Sequence, residues 1–280
     1  EPVEVACGAP TIMMGESLMN VTNGYDTTLY REPLGVFAGI APFNFPAMIP
    51  MGWMMPMCIA TGNTLVLKAA SMTPMTSMKM MKLLEEAGLP AGVVNIVTCS
   101  RKESEIFLSH PDIKGITLVG STSTGLHIYG EAAKHGKRVQ CLCEAKNHAL
   151  VLEDAPIART AAGIINSSFG CAGERCMALP VVVVQESIAD ALVEEIVKQV
   201  KTKKVGPAYE KDTDLGPVVT AEHKKFVCDW IQKGIDEGAK VVLDGRDIKV
   251  EGYENGFYVG HTILDHVTEE MTVGQREIFG

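Results

Sequence analysis

The sequence predicts an α/β protein with a doubly wound parallel sheet, followed by a second α/β unit. Short apolar runs rich in Val, Ile and Leu alternate with helical periodicity between residues 34 and 143. Strands that are apolar throughout are typical of a parallel sheet covered by helices on both faces. A second alternation of helix and strand follows. We therefore expect two domains, residues 1–143 and 144–280.

In the first domain, residues 1–20 are expected to form the end of a helix, and residues 21–31 alternate weakly, as an edge strand or hairpin would. Gly88 is expected to end one of the later helices. The predicted strands are 34–40, 63–68, 93–98 and 115–119, and the predicted helices are 47–60, 73–87, 102–109 and 121–135.

The second alternation follows two further short strands, 138–143 and 148–152. Asp154 is expected to cap the next helix, with Pro156 in its first turn. The predicted helices are 156–169, 188–201 and 221–237, and the predicted strands are 181–185, 240–243 and 257–263.

Composition excludes several classes of protein. The chain has 280 residues, of which 46% are hydrophobic, and this is enough for a large core. A net charge of -9, with scattered Lys and Arg, argues against a nucleic-acid surface. No apolar run approaches the roughly 18 residues of a membrane span. The eight cysteines are irregularly spaced and form no zinc set, so we expect no metal and a reducing compartment.

The most informative stretch is 169–177, a small-residue loop that ends on Cys176-Met177. Gly170 and Gly173 allow close approach of a ligand, and Arg175 places a permanent cation beside the thiol. A reachable thiol at a break between helix and strand can act as a nucleophile. A buried structural cysteine is the alternative for this loop considered alone.

Three other stretches suit ligand binding. Gly120 and Ser121 join a strand to a helix, where backbone amides can hold an anion. A helix with an ordinary serine cap and no bound anion would show the same residues. Asn44, between two aromatics and two prolines, suits a hydrogen-bond donor to an oxyanion, or a helix cap. Lys68 ends an apolar strand, a position that faces the ligand crevice of an open α/β sheet or simply lies in solvent.

Taken together and in this order, these stretches resemble the aldehyde dehydrogenase superfamily, and within it the CoA-acylating methylmalonate-semialdehyde dehydrogenase branch. The resemblance covers nearly the whole chain, and the Asn147-His148 pair and the 175–178 run are specific to that branch. The matching motifs lie at residues 33–36, 38–48, 110–114, 136–140, 145–148, 173–178, 252–256 and 277–280.

The resemblance implies a Rossmann-like NAD-binding domain followed by a catalytic domain. It implies that Cys176 is the nucleophile, with Asn44 and the Cys176 amide as the oxyanion hole. It further implies that Lys68 holds the adenosine ribose, Ser121 the pyrophosphate and Glu277 the nicotinamide ribose. Arg175 is a candidate partner for a substrate carboxylate. The full set of implied cofactor-binding residues is Phe43, Lys68, Ser71, Gly120, Ser121 and Glu277.

Two departures from the family pattern bear on the reaction. Hydrolytic members place a general-base glutamate where this chain has Leu142, so a thioester should persist until a CoA thiol arrives. Glu144 could substitute for that base, which would make the protein a hydrolytic aldehyde dehydrogenase. The stretch after Lys68 has Ser71 in place of a ribose-binding glutamate, which weakens selection of NAD over NADP. A non-catalytic nucleotide-binding relative is the third interpretation.

The resemblance also implies a small aldehyde substrate, CoA as co-substrate and a role in valine catabolism. It implies a homotetramer or homodimer formed through a hairpin near residues 15–33. The compartment would be the cytoplasm in a bacterium and the mitochondrial matrix in a eukaryote. Family members are longer at both ends, so we expect 1–143 to be a partial domain and 144–280 a truncated one. Such a piece alone should be unstable or aggregated, and inactive.

Overall fold

The chain begins with two short helices and an exposed hairpin. The computed structural model describes residues 1–280, and its contacts divide the chain into two units, 1–143 and 144–280. The expectation of helix up to residue 20 is wrong, because the backbone at Gly15 lies against the Leu29 carbonyl and starts the hairpin there. The first elements are α1 (Pro2–Cys7), α2 (Ala9–Ile12), β1 (Ser17–Thr22) and β2 (Tyr25–Thr28).

A five-stranded parallel sheet forms the centre of the first unit, with the strand order β5-β4-β3-β6-β7. The chain winds outward in one direction from β3 to β5 and in the other from β6 to β7. The point at which the direction changes, between β3 and β6, is where ligands bind in sheets of this kind. The strands are β3 (Val36–Ile40), β4 (Thr64–Lys68), β5 (Val94–Val97), β6 (Ile113–Val119) and β7 (Arg138–Leu142).

Helices cover both faces of this sheet, as the apolar strands predict. One core cluster joins Ile116 and Leu118 to Phe107 and Ile128, and another joins Leu65 and Leu67 to the methionine-rich segment before β4. The helices that follow are α3 (Met55–Ala60), α4 (Pro74–Glu86), α5 (Arg101–Ser104), α6 (Ile106–Ser109) and α7 (Thr122–Lys134).

Two predicted helices of this unit are interrupted. The one expected at 47–60 begins as a π-helix, Met48–Met54, in which the Met55 amide donates to the Pro50 carbonyl five residues back. The one expected at 102–109 is divided into α5 and α6, with a tighter hydrogen bond from the Glu105 amide to Lys102 at the break.

The second unit starts with two parallel strands, β8 (His148–Val151) and β9 (Val181–Val184), in which His148 pairs with Val181. Between them runs α8 (Ile157–Phe169), which packs on α9 (Glu186–Val200) around Ile164, Ile165 and Leu192. Pro156 rather than Asp154 occupies the position before α8, and no side chain caps this helix.

The remainder of the second unit contains α10 (Ala221–Asp236), β10 (Lys240–Leu243), β11 (Ile263–Asp265) and α11 (Thr272–Gln275). The strand predicted at 257–263 is wrong except at its last residue. The backbones of Gly245 and Gly260 cross there in direct contact, and the Gly260 amide donates to the Gly245 carbonyl at 2.8 Å. This crossing interrupts regular strand pairing before Ile263. None of the helices in the chain has the length and apolar character that a membrane crossing requires.

Candidate active site

Cys176 lies on a tightly curled loop between α8 and β9. A kinked turn, Gly170–Gly173, follows α8, and within it Cys171 and Ala172 adopt the left-handed conformation, with φ values of 54° and 55°. Gly173 continues the left-handed run with φ 76°. Non-glycine residues in this conformation cost about 1–3 kcal/mol each and persist only where surrounding contacts hold them. The half-buried Cys176 therefore sits at the end of a strained segment.

Asn147 holds the backbone around Cys176. Its side-chain amide donates to the Cys176 carbonyl at 3.0 Å and to the Ala178 carbonyl at 2.8 Å, so both amide hydrogens are used. The two segments meet because β8 and β9 are parallel neighbours, which brings the residues before each strand side by side. Asn147 belongs to one of the motifs that carry the family resemblance, but no role was predicted for it. Its position directly before a predicted strand is the sequence feature that could have pointed to such a role.

Arg175 folds back over the start of the loop. A Cβ on Gly170 would lie 2.5 Å from an Arg175 guanidinium nitrogen, so the guanidinium packs directly against the backbone of Gly170. The Arg175 side chain is half-buried. The Arg175 guanidinium therefore covers the turn that precedes Cys176, and Arg175 is also the residue directly before Cys176 in the sequence.

The segment before Asn147 contacts Glu277, and both Lys146 and Glu277 are half-buried. The Glu277 carboxylate accepts from the Ala145 amide at 3.5 Å. Burial raises the pKa of Glu277, and burial lowers the pKa of Lys146 to about 8, an effect that Glu277 opposes. Residues 145–147 thus contact both the Cys176 loop and the Glu277 segment, although more than 100 residues separate Glu277 from them in the sequence.

Other cysteines differ from Cys176 in their surroundings. Burial raises the pKa of Cys58 to about 11, and burial also raises the pKa values of Cys141 and Cys228. Because the thiolate is the reactive form, these three thiols are poor nucleophiles at neutral pH. Cys171 is exposed and lies on the same loop as Cys176, so it is the competing candidate.

In the first unit, the predicted ligand-binding residues come together at the carboxyl ends of the parallel strands. Phe43 and Asn44 follow β3, Lys68 ends β4, and Gly120 and Ser121 follow β6. Ile40 pairs with Lys68 on one side and with Leu118 on the other, which sets these strand ends side by side.

Hydrogen bonds brace the two loops at this edge. Thr73 donates to the Phe43 carbonyl at 3.1 Å and Ser77 donates to the Pro46 carbonyl at 2.6 Å, which fixes the loop that carries Asn44. Ser121 caps α7 by accepting from the Thr124 amide at 3.4 Å. The α7 start therefore presents hydroxyl and amide donors at the positive end of the helix.

A cavity of about 90 Å3 adjoins Lys68. It is also lined by Arg101, Glu105 and His127, and the His127 ring contacts the Glu105 carboxylate at 2.9 Å. Ser71 lies in the exposed turn after β4 and is not among the lining residues, so the only carboxylate lining this cavity is Glu105.

A larger cavity, about 440 Å3, lies at the opposite edge of the sheet, where β6 and β7 begin. Its buried Lys137 donates to the His110 and Ile113 carbonyls. None of the predicted site residues lines it. No group of three or more His, Cys, Asp or Glu side chains is arranged to hold a metal ion.

The family model described as the aldehyde dehydrogenase family matches residues 1–280. The chain belongs to the aldehyde dehydrogenase family. The resemblance and the α/β fold expected from the sequence are thereby confirmed.

The relatives that the chain matches include semialdehyde dehydrogenases. It is 46% identical over 279 residues to malonate-semialdehyde dehydrogenase 1 of Oceanobacillus iheyensis, spanning all of this chain and 57% of that protein. It is 49% identical to the acylating, mitochondrial methylmalonate-semialdehyde dehydrogenase of Arabidopsis thaliana, of which it spans 46%. A structure from Sinorhizobium meliloti 1021, assigned to methylmalonate-semialdehyde dehydrogenase and complexed with NAD, is 42% identical, with a TM-score of 0.95 over 99% of this chain and 56% of that one.

Proposed function

We propose that the protein oxidises malonate or methylmalonate semialdehyde to a CoA thioester, with NAD as oxidant and loss of CO2. The observation that carries the proposal is the half-buried thiol of Cys176, held on a strained loop by Asn147. The names of the relatives support the substrate class. The chain spans about half the length of these relatives.

The thiolate of Cys176 attacks the aldehyde carbon and forms a C–S bond, and the carbonyl oxygen becomes an oxyanion. The Cys176 backbone amide and the Asn44 carboxamide are the proposed donors to it. NAD, which Lys68, Ser121 and Glu277 would help to hold, would supply the acceptor for the hydride that leaves this carbon. The product on the enzyme is a thioester at Cys176.

A CoA thiol then displaces Cys176 from the acyl group, and the cysteine leaves as thiolate. The substrate carboxylate departs as CO2, and a proton takes its place on carbon. Leu142, at the end of β7, occupies the position of the general base in hydrolytic members, so no carboxylate there activates water. Arg175 is the proposed partner of the substrate carboxylate before it is lost.

The residues of the first unit fit a dinucleotide. The topological switch between β3 and β6 is the expected place for one, and the capped start of the 13-residue α7 suits its pyrophosphate. Lys68, in its cavity, is the proposed partner of the adenosine ribose, and Gly120 leaves room for close approach. Phe43 and Glu277 are further proposed contacts. Ser71, exposed outside the cavity, is the weakest of the predicted set.

We also propose that the protein is a homodimer or homotetramer joined through the β1–β2 hairpin. Its side chains are all exposed and include Leu18 and Met19 at 63% and 74% and Tyr25 at 67%. Exposed apolar surface of this kind favours association. Sedimentation of the Leu18→Glu variant should give a smaller species than the unsubstituted protein. The compartment inferred is the cytoplasm for a bacterial source and the mitochondrial matrix for a eukaryotic one.

The reaction is tested by incubating the protein with NAD and methylmalonate semialdehyde without CoA. Mass spectrometry of the denatured protein should find an acyl group on Cys176, together with a burst of NADH. Addition of CoA should release an acyl-CoA. Release of free acid without CoA would instead indicate the hydrolytic reaction, with Glu144 as base. The absence of both adduct and NADH would indicate a nucleotide-binding relative without activity.

A further inference from the structure

Three segments of the second unit converge beside the nucleophile. They are the 170–176 loop, the start of α10 and the 277–280 segment. A Cβ on Gly173 would lie 2.6 Å from the Gly280 carbonyl carbon, so the loop and the last segment touch through their backbones. A Cβ on Gly280 would lie 2.3 Å from a methyl carbon of Val227 on α10. The three segments are therefore in direct contact.

A buried carboxylate joins the first two of these segments. The Glu174 side chain is 9% exposed, and its Oε1 accepts from the Val219 amide, directly before the Thr220 cap of α10, at 3.1 Å. Burial disfavours the charged form of Glu174 and raises its pKa to about 7. This enclosed carboxyl group lies two residues from the nucleophile.

A histidine joins the second and third segments. His223, in the first turn of α10, has its Nε2 atom 2.7 Å from the Phe279 carbonyl. A carbonyl oxygen only accepts, so Nε2 carries the hydrogen. The same atom lies 3.6 Å from Glu174 Oε1. Phe279 has a φ of 65°, a left-handed conformation that turns its carbonyl towards this donor and that needs outside contacts to persist.

We propose that Glu174 and His223 are positioning residues that hold the Cys176 loop and the 277–280 segment in one fixed arrangement around the start of α10. They act through the backbone, so that displacement of the Glu277 segment is transmitted to the nucleophile loop. The catalytic consequence rests on the proposed function, whereas the mechanical coupling does not.

The coupling is tested by hydrogen exchange of the protein without cofactor or substrate. Glu174→Ala and His223→Leu should each raise exchange about tenfold in both peptides, the one containing 171–178 and the one containing 276–280. Glu174→Gln keeps an acceptor for the Val219 amide, and His223→Gln keeps a donor to Phe279, so both should stay near the unsubstituted protein. The control is Glu222→Gln, an exposed neighbour in the same turn of α10.

Turnover then tests the positioning role. Glu174→Ala and His223→Leu should lower kcat about tenfold, with recovery to within about threefold in the two glutamine variants. Exchange that rises only in the substituted residue's own peptide would overturn the coupling. Coupled exchange with unchanged kcat would overturn the positioning role. If the unsubstituted protein produces no NADH, the proposed function fails, while the exchange result still decides the coupling.

Discussion

Two regions that carry predicted site residues, the carboxyl-end edge of the first unit's sheet and the Cys176 loop of the second unit, are built in different ways. At the edge, the predicted ligand-binding residues lie at the ends of parallel strands or in the loops that follow them, and the sheet itself brings these strand ends together. At the loop, the backbone is strained at Cys171 and Ala172, and long-range side-chain contacts hold it. The first arrangement follows from topology. The second depends on individual side chains, so single substitutions should damage it more.

The largest expected effect is the loss of turnover in Cys176→Ala. Removal of the nucleophile should lower kcat by about 10⁴-fold or more, because no other group forms the covalent intermediate. NAD affinity, measured by fluorescence titration, should stay within about twofold, since the Cys176 thiol is not among the proposed cofactor contacts.

Cys171→Ala is the matched control for this variant, because Cys171 is the exposed cysteine of the same loop. It should retain most of the activity. Loss of turnover in the Cys171 variant, with activity kept in the Cys176 variant, would transfer the nucleophile to Cys171 and contradict the proposal.

The same contrast explains what could be predicted from sequence. Lys68, Asn44 and Ser121 could be predicted as ligand-binding residues because each lies at or just beyond the end of an apolar strand, and parallel strands end at one edge. Asn147 and Glu174 act on groups 29 and 45 residues away. Such contacts leave no local pattern, because neither periodicity nor spacing in the chain records which distant carbonyl or amide a side chain reaches.

The predicted elements failed where backbone contacts between distant residues override local preference. Gly15 lies against Leu29 and begins a hairpin where a helix was expected. Gly245 and Gly260 cross and prevent the strand predicted from residue 257. A single sequence shows a glycine at each of these positions, but it does not show which backbone lies against it.

The next largest decrease in kcat is expected for Asn147→Ala, which tests whether the conformation of the Cys176 loop depends on one side chain. Without the two hydrogen bonds to Cys176 and Ala178, the strained backbone should shift, and displacement of a nucleophile by about 1 Å costs about 10²-fold in rate. We expect kcat to fall by that order with NAD affinity unchanged. Asn95→Ala, which removes one exposed hydrogen bond to Gly92 in the first unit, is the control and should leave kcat unaltered.

Lys68→Met tests the other region, the carboxyl-end edge of the sheet in the first unit. Loss of a charged hydrogen bond costs about 1.5–3 kcal/mol, so the Kd for NAD should rise about tenfold or more. The rate at which iodoacetamide alkylates Cys176 in the absence of cofactor should not change. Lys79→Met, on the exposed face of α4, should alter neither quantity. If the Lys68 variant binds NAD as tightly as the unsubstituted protein, the cavity beside Lys68 is not the ribose site.

The smallest expected effect is the change in KM caused by Arg175→Leu. This substitution tests whether the Cys176 loop also selects the substrate. A guanidinium that pairs with the carboxylate of a semialdehyde acid should be worth about 1 kcal/mol at this half-exposed position. The KM for methylmalonate semialdehyde should therefore rise about fivefold, while the KM for propanal, which has no carboxylate, should stay the same. Arg159→Leu, an exposed arginine on α8, is the control. Equal losses on both aldehydes would mean that Arg175 only packs over Gly170, and substrate selection would then have to come from elsewhere in the protein.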